Sequence, residues 1–368
     1  MTRITHYVGL DVHKDSIAVA IAAEGRERPR FLGSIPNDGG RLLKLLDKLG
    51  SRDTIRCCYE AGPTGYALQR FLRDAQVRCD VVAPTLIPDR KGDRVKTDKR
   101  DSIKLARLLR SGDLTSVWVP DEATEALRDL FRARDDAKIA ERAARQRLDK
   151  FLLRHGRTYP GRTRWTKTHI EWIRKQKFTH EPQQHALCEY LHTVELASDS
   201  VARLTDAISK HAVDSSLLPL IESLQALKGV DLLTAVGLSV ELGELRRFES
   251  APALMSFIGL GVAESTTGRK SRRFCITKTG NGIVRRLLVE SAWAYRHPPR
   301  MGPRLKKRSE HLAVEIKRIA WKAQHRLNLR YRRMLARKKP KQVAVVAMAR
   351  ELAGFVWAIG RQVELTPT

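Results

Sequence analysis

Cysteine is scarce, and its spacing suits neither of its structural uses. The five residues, Cys57, Cys58, Cys79, Cys188 and Cys275, are odd in number and never stand at CxxC spacing, which argues against a disulfide framework and against a zinc site. Cys57 and Cys58 lie inside an apolar run and read as small core residues. No hydrophobic run approaches the ~20 residues of a membrane span, and Met1-Thr2-Arg3-Ile4-Thr5-His6 opens no signal-peptide pattern. These absences predict a cytoplasmic protein with no membrane partner. Acidic residues are the third deficit: 41 Asp+Glu face 69 Lys+Arg, a formal net charge of +28. So large an excess suits a polyanion partner. The 368 residues leave room for two or three domains and a sizeable core.

The few acids that are present are placed in a telling way. In Lys96-Thr97-Asp98-Lys99-Arg100-Asp101-Ser102-Ile103-Lys104-Leu105-Ala106-Arg107-Leu108-Leu109, two carboxylates stand three residues apart at the start of an amphipathic helix, on one face. Ile103, Leu105, Leu108 and Leu109 would bury that helix against a core and hold the pair rigidly. A plain alternative is that Asp98 or Asp101 only caps the helix and complements its positive end.

Earlier in the chain, Tyr7-Val8-Gly9-Leu10-Asp11-Val12-His13 followed by Ser16 to Ala22 reads as a β-hairpin whose first strand ends on Asp11. A carboxylate in so apolar a run is costly unless it is paired or bound to a cation. Ile55 to Glu60 is a second strand, also ending on an acid, followed by a Gly/Pro turn and a helix from about Tyr66 to Ala75. A third strand, Arg78 to Pro84, precedes the basic loop Asp89 to Lys96. Strands alternating with helices, with acids at strand ends, predict an α/β domain with a site at the sheet edge. Asp11, Glu60, Asp98 and Asp101 then have one joint use, as oxygen ligands for two divalent ions that activate a nucleophile and stabilise a leaving oxygen on phosphate. Oxygen-only ligation favours Mg²⁺ or Mn²⁺ over zinc.

The order of these acids and the words GLDVHK, YEAGPTGY and KTDKRDSIKLA resemble the RuvC-type, RNase H-like domain of the DEDD transposases of insertion sequences, a family of bridge-RNA-guided recombinases. The resemblance runs over almost the whole chain. It implies that the four acids are catalytic metal ligands.

Residues from about Thr124 to His155 read as helical, with a sparse apolar stripe. Between Lys138 and Lys177 there are 13 Lys+Arg against three acids, interleaved with Tyr159, Trp165, Trp172 and Phe178. A solvated helix face would explain the charges alone, whereas aromatics among arginines also suit RNA bases. Arg162, Arg164, Trp165 and Lys167 are the candidate contacts. A second helical segment, about Gln184 to Leu217, is expected to fold back on the first as an antiparallel coiled coil, the linker that the resemblance implies. Leu224 to Leu238 resembles a helix-hairpin-helix whose turn, at Gly229, can offer backbone N–H groups to a phosphate; an ordinary helical corner accounts for it equally.

Gly259 to Gly282 gathers hydroxyls beside a glycine and four cations, Arg269, Lys270, Arg272 and Arg273, followed by Lys278. Such a set can bring a nucleophile to a phosphodiester, or simply form a polar hairpin that binds DNA backbone. The resemblance places here a C-terminal transposase domain whose covalent nucleophile is a serine just before a glycine, upstream of an (S/T)KxGN word. Counting back from Thr277-Lys278-Thr279-Gly280-Asn281 reaches Thr266, but the serine of this word is Ser265. The less hindered primary hydroxyl makes Ser265 the first choice and Thr266 the alternative. From Arg269 to Lys341 there are 24 Lys+Arg and three acids, a nucleic-acid surface.

The expected architecture is α/β plus all-α. A RuvC/RNase H-like DEDD domain spans 1–122, a helical coiled-coil linker 123–220 and a small helical C-terminal transposase domain 221–368. The resemblance implies Mg²⁺ (or Mn²⁺), donor and target DNA, a noncoding bridge RNA, a dimer-of-dimers homo-oligomer, and a nucleoid-associated prokaryotic setting. Two further classes fit the residues. One is a metal-dependent nuclease or junction resolvase that uses only the four carboxylates; the other is a non-catalytic nucleic-acid-binding protein.

Overall fold

The chain folds as two units, Met1–Val119 and Pro120–Thr368, in a computed structural model that describes residues 3–88, 97–267 and 270–364, with the side chains of 265–267 and 270–274 outside the description. The first unit holds β1 (His6–Val12), β2 (Ser16–Ala23), β3 (Arg30–Pro36), α1 (Gly39–Asp47), β4 (Ile55–Glu60), α2 (Ala67–Asp74), β5 (Arg78–Val82) and α3 (Asp98–Ser111). Its sheet has the order β3-β2-β1-β4-β5; β1, β2 and β3 are antiparallel and β1, β4 and β5 parallel. This mixed five-stranded sheet flanked by helices is consistent with the RNase H-like class.

Side-chain size sorts the two faces. In β2 every residue from Ile17 to Ala22 is buried, as expected for a strand covered on both sides. Its large residues, Ile17, Val19 and Ile21, join Val8, Leu10, Leu42, Leu46 and Leu72 in a core under α1 and α2. Its small residues Ala20 and Ala22 meet Ala106 of α3 on the other face. Small residues let a helix backbone approach closely, and at Gly9 of β1 an added Cβ would lie 2.2 Å from the Ser102 carbonyl oxygen. α3 therefore lies directly on the strand that carries Asp11.

The second unit opens with α4 (Glu122–Arg154), α5 (Lys167–Arg174) and α6 (Glu181–Val213). Arg134 donates to Thr205 and Ser198 donates to Glu141, so residue numbers rise along α4 as they fall along α6, and the two helices run antiparallel. Near the α5 end they enclose a small core of Leu148, Phe151, Leu152, Ile173, Leu187 and Leu191. At the other end, Leu127, Phe131, Ile208 and Ala212 belong to the large core of the helices that follow. The expected boundary at 220/221 falls inside α7 (Leu218–Leu224).

α8 (Leu232–Leu242), α9 (Ala251–Phe257), the hairpin β6 (Val262–Thr267) and β7 (Lys270–Ile276), then α10 (Gly282–Ala292), α11 (Pro303–Ser309), α12 (Val314–Ala336) and α13 (Lys341–Gly360) complete the unit. The C-terminal region is thus helical with one antiparallel hairpin. α13 corrects the expectation that no run reaches membrane-spanning length, since by length and composition this helix qualifies. Half of its most apolar window is buried, with Val345, Met348, Leu352, Val356 and Ile359 in the large core, so its hydrophobicity is that of a core helix.

Candidate functional site

The DxxD helix starts where the sequence suggested, and its cap is neither aspartate. The Thr97 hydroxyl accepts from Arg100 N, and the helix closes at Gly112 in the left-handed conformation (φ 78°). Asp98 and Asp101 are therefore free of capping duty. They stand one turn before Ser102 and Leu105, on the side of α3 that lies on β1. Alternation along β1 puts Asp11 on the same face as Gly9, beneath this helix start.

Three ligand atoms meet there. His13 Nε2 lies 3.3 Å from Asp11 Oδ2 and 3.6 Å from Asp98 Oδ1, and the ligand atoms of Asp11, His13 and Asp98 all fall within 4.8 Å of one another. The Asp11 side chain is 20% exposed. Burial pushes its carboxyl above the ordinary value; His13 opposes that shift through charge and a hydrogen bond, while Asp101 and Asp98 reinforce it by repulsion. So Asp101 shares the electrostatic field of the site. Glu60 ends β4, one residue beyond the last β1–β4 pair, Leu10↔Tyr59, which sets it beside Asp11 at the parallel strand ends. The donor set is carboxylate oxygen with one imidazole nitrogen, a set that fits a hard or borderline divalent cation.

His13 escaped sequence reading although GLDVHK contains it, because only the turn after β1 brings its ring back over Asp11. Gly9 escaped too. Its signal was a glycine two residues before a strand-end acid, where close backbone approach is a standard use.

In the second unit, the aromatic residues near the α5 end are packed on one another. His169 is buried, its Nδ1 accepts from Trp165 N at 2.9 Å, and its ring stacks on Trp172 at 5.9 Å and meets Tyr159 at 4.5 Å. Trp165 also carries the Arg145 guanidinium at 5.1 Å. Arg164 pairs with Asp149 at 3.1 Å, whereas Arg162 and Lys167 are exposed. Gly229 sits at the α7–α8 turn with φ 83°, its Cα side against the Ser291 carbonyl, and Asp231 caps α8 through Thr234 N.

Ser265 and Thr266 lie in β6, paired with Arg272 and Ser271 of β7; their side chains, and those of Lys270, Arg272 and Arg273, lie outside the described residues, as does Arg269 altogether. Backbone hydrogen bonds close the base of the hairpin. Thr277 N donates to Gly261 O and Lys278 N to Gly259 O, with Lys278 (φ 58°) and Gly280 (φ 98°) left-handed. A Cβ at Gly280 would lie 1.9 Å from the Phe257 carbonyl oxygen, so only glycine fits. Asn281 caps α10 through Ile283 N and Val284 N, and its Nδ2 donates to Glu241 Oε2 at 2.7 Å. Glu241 is also gripped at both oxygens by Arg132 of α4. Sequence reading missed Arg132 and Glu241, 109 residues apart, because nothing local signals their pairing.

Comparison with known proteins gives concordant results. The family model DEDD_Tnp_IS110, described as a transposase, matches residues 8–156, and the model Transposase IS116/IS110/IS902 family matches residues 221–308. The chain is 45% identical over 362 residues to y4qE of Sinorhizobium fredii, a protein described as a transposase, covering 98% of this chain and 90% of the relative. It is 32% identical over 343 residues to the transposase for insertion sequence element IS1533 of Leptospira borgpetersenii, covering 90% of this chain and 97% of the relative.

Proposed function

The chain belongs to the IS116/IS110/IS902 family of transposases, enzymes that act on DNA, and from that premise we propose a mechanism that joins a divalent-metal site to a hydroxyl nucleophile. The observation that carries the first half is the meeting of Asp11 and Asp98 at His13 with Asp101 in the same field. Asp11, Glu60, Asp98 and Asp101 would hold Mg²⁺ or Mn²⁺, which supplies Lewis-acid activation of a phosphodiester. Asp98 and Asp101 repel the half-buried Asp11 when metal-free, and such a cation would relieve that repulsion.

The second half assigns the nucleophile to Ser265, with Thr266 as the alternative. The hydroxyl oxygen bonds to phosphorus as the bond from phosphorus to the sugar oxygen breaks; the serine proton passes to the departing oxygen, and a protein–DNA phosphodiester remains until strand exchange. Arg269, Lys270, Arg272, Arg273 and Lys278 would neutralise the phosphates around it. Sequence choice is delegated to a bridge RNA pairing with donor and target DNA, in keeping with abundant phosphate-binding charge and no base-reading helix in the sequence. Arg162, Arg164, Trp165, Lys167 and Gly229 are proposed nucleic-acid contacts. The working division is a RuvC-like domain over 1–122, a coiled-coil linker over 123–220 and a transposase domain over 221–368. The two domains would combine across subunits in a dimer of dimers, in the prokaryotic nucleoid.

A suicide DNA substrate incubated with Mg²⁺ tests this. A covalent adduct that survives denaturation is expected from the parent, lost in Ser265→Ala and in Asp98→Asn, and retained in Thr266→Ala. Loss in Thr266→Ala alone would move the nucleophile by one residue. Strand cleavage with no adduct, retained when both hydroxyls are removed, would favour the metal-only nuclease.

A further inference from the structure

Among the described residues, the one imidazole at the acidic cluster is held in place by its backbone. The turn between β1 and β2 closes with His13 N donating to Ser16 O at 2.8 Å. Asn37, just after β3, then ties that turn down from outside: its Nδ2 donates to His13 O at 2.8 Å and to Lys14 O at 3.3 Å, and its own N–H donates to Asp15 O at 3.1 Å. A ring on so fixed a backbone points its Nε2 between carboxylates from two different elements, Asp11 of β1 at 3.3 Å and Asp98 of α3 at 3.6 Å.

We propose that His13 is a direct nitrogen ligand of the divalent ion and that this nitrogen tilts the site toward Mn²⁺ relative to Mg²⁺; the proposal rests on the metal reading above. Geometry is the first reason. Ligands at about 2.1 Å from an octahedral ion lie about 3 Å apart when adjacent and about 4.2 Å apart when opposite. The separations of 3.3 and 3.6 Å are close to the adjacent spacing, and contraction of a few tenths of an ångström would complete it. Chemistry is the second. Nε2 and the carboxylate oxygens of Asp11 and Asp98 lie within 4.8 Å of one another, so an ion between them is within reach of all three, and binding it displaces the proton that Nε2 shares with Asp11. Imidazole suits borderline metals, whereas Mg²⁺ prefers oxygen. An all-oxygen DEDD set gives no such preference.

The test uses the full-length protein loaded with Mn²⁺ alone and read by pulsed electron paramagnetic resonance. The parent is expected to show nitrogen modulation from a directly bound imidazole; His13→Gln and His13→Ala should still bind Mn²⁺ but without that signal. Mn²⁺ affinity should fall about tenfold in these variants, while Mg²⁺ affinity, measured by displacement of Mn²⁺, falls about threefold or less. Bound Mn²⁺ without nitrogen coupling in the parent, or coupling unchanged in His13→Gln, overturns the proposal and leaves the carboxylate site standing. Mn²⁺ binding that is absent, or indifferent to Asp11→Asn, overturns the metal reading itself.

Discussion

Gly9 of β1 and Ser102 of α3 are in backbone contact: a Cβ on the glycine would lie 2.2 Å from the Ser102 carbonyl oxygen and 2.4 Å from Ala106 N. That contact sets the height of α3 above the sheet, and with it the distance from Asp98 and Asp101 to Asp11. Gly9→Ala must push helix and strand apart, because both obstacles are backbone. The expected result is a loss of about 1–3 kcal/mol in stability, the usual cost of overpacking, and a loss of Mn²⁺ affinity larger than the stability change explains. Chemical denaturation and metal titration on the same protein check it; unchanged metal affinity would detach the carboxylate geometry from this contact.

Much of the first unit was legible because its residues obey short-range rules. Apolar runs ending in Asp11 and Glu60 became β1 and β4, and the helix expected at Tyr66 to Ala75 became Ala67–Asp74. β3 was not legible. It is an edge strand with mostly part-exposed residues, it contains Gly33 at φ 126°, and its register against β2 shifts between Val19 and Ala20, so no clean alternation marks it. His13 was invisible for a different reason: Asn37, 24 residues on, fixes its turn. Trp165 and Trp172 were legible as aromatics among arginines, but composition could not tell a base-stacking surface from rings already packed on His169.

The Arg132–Glu241–Asn281 cluster should respond asymmetrically to mutation. The Glu241 side chain is 1% exposed while that of Arg132 is 46% exposed. Removing the arginine leaves a buried carboxylate that still accepts from the Asn281 amide, whereas neutralising the glutamate leaves an arginine that water can reach. Arg132→Ala is expected to cost about 3–5 kcal/mol, the range for a broken buried pair; Glu241→Gln should cost clearly less. Denaturant midpoints of the two variants decide it, and equal losses would mean that the pair is effectively solvated.

Acidification should loosen the α5 end of the long helices through His169. Burial holds its pKa below the ordinary value, the neighbouring Asp149 opposing and Arg164 adding to the effect. The neutral ring is the form that accepts from Trp165 N on Nδ1. A base with a lowered folded-state pKa contributes stability above its unfolded value, about 6.5, and loses it as pH falls through the folded value. Once the ordinary slowing of amide exchange in acid is divided out, protection over residues 159–174 should therefore weaken as pH falls below about 6.5 and, in His169→Gln, lose that pH dependence. Protection that is flat with pH in the parent would remove His169 as the cause.

Phosphate binding should depend on a groove that the helix-hairpin-helix reading only bordered. Lys228, at the α7–α8 turn, lines one groove together with the segment His297-Pro298-Pro299 and with Arg300, Arg304 and Arg308, and among the described residues its lining carries no carboxylate, although Asp231 lies close enough to act on Arg308. Lys228 is engaged with the carbonyls of His297 and Pro298, and Arg308 donates to Leu227 O, so both brace the groove. Arg300 and Arg304 are exposed at its rim. If each contacts one phosphate, Arg300→Ala with Arg304→Ala should reduce the slope of log affinity against log salt by about 1.8 for duplex DNA, since each contact contributes about 0.9. The loss should be the same on unrelated sequences, because phosphates carry no base identity. Arg318, which is bound through both its Nε and Nη2 to Glu315, serves as the control and should change the slope little when replaced by alanine. Binding isotherms at four salt concentrations separate the two cases: an undiminished slope in the double variant would assign the backbone contacts elsewhere on this basic surface.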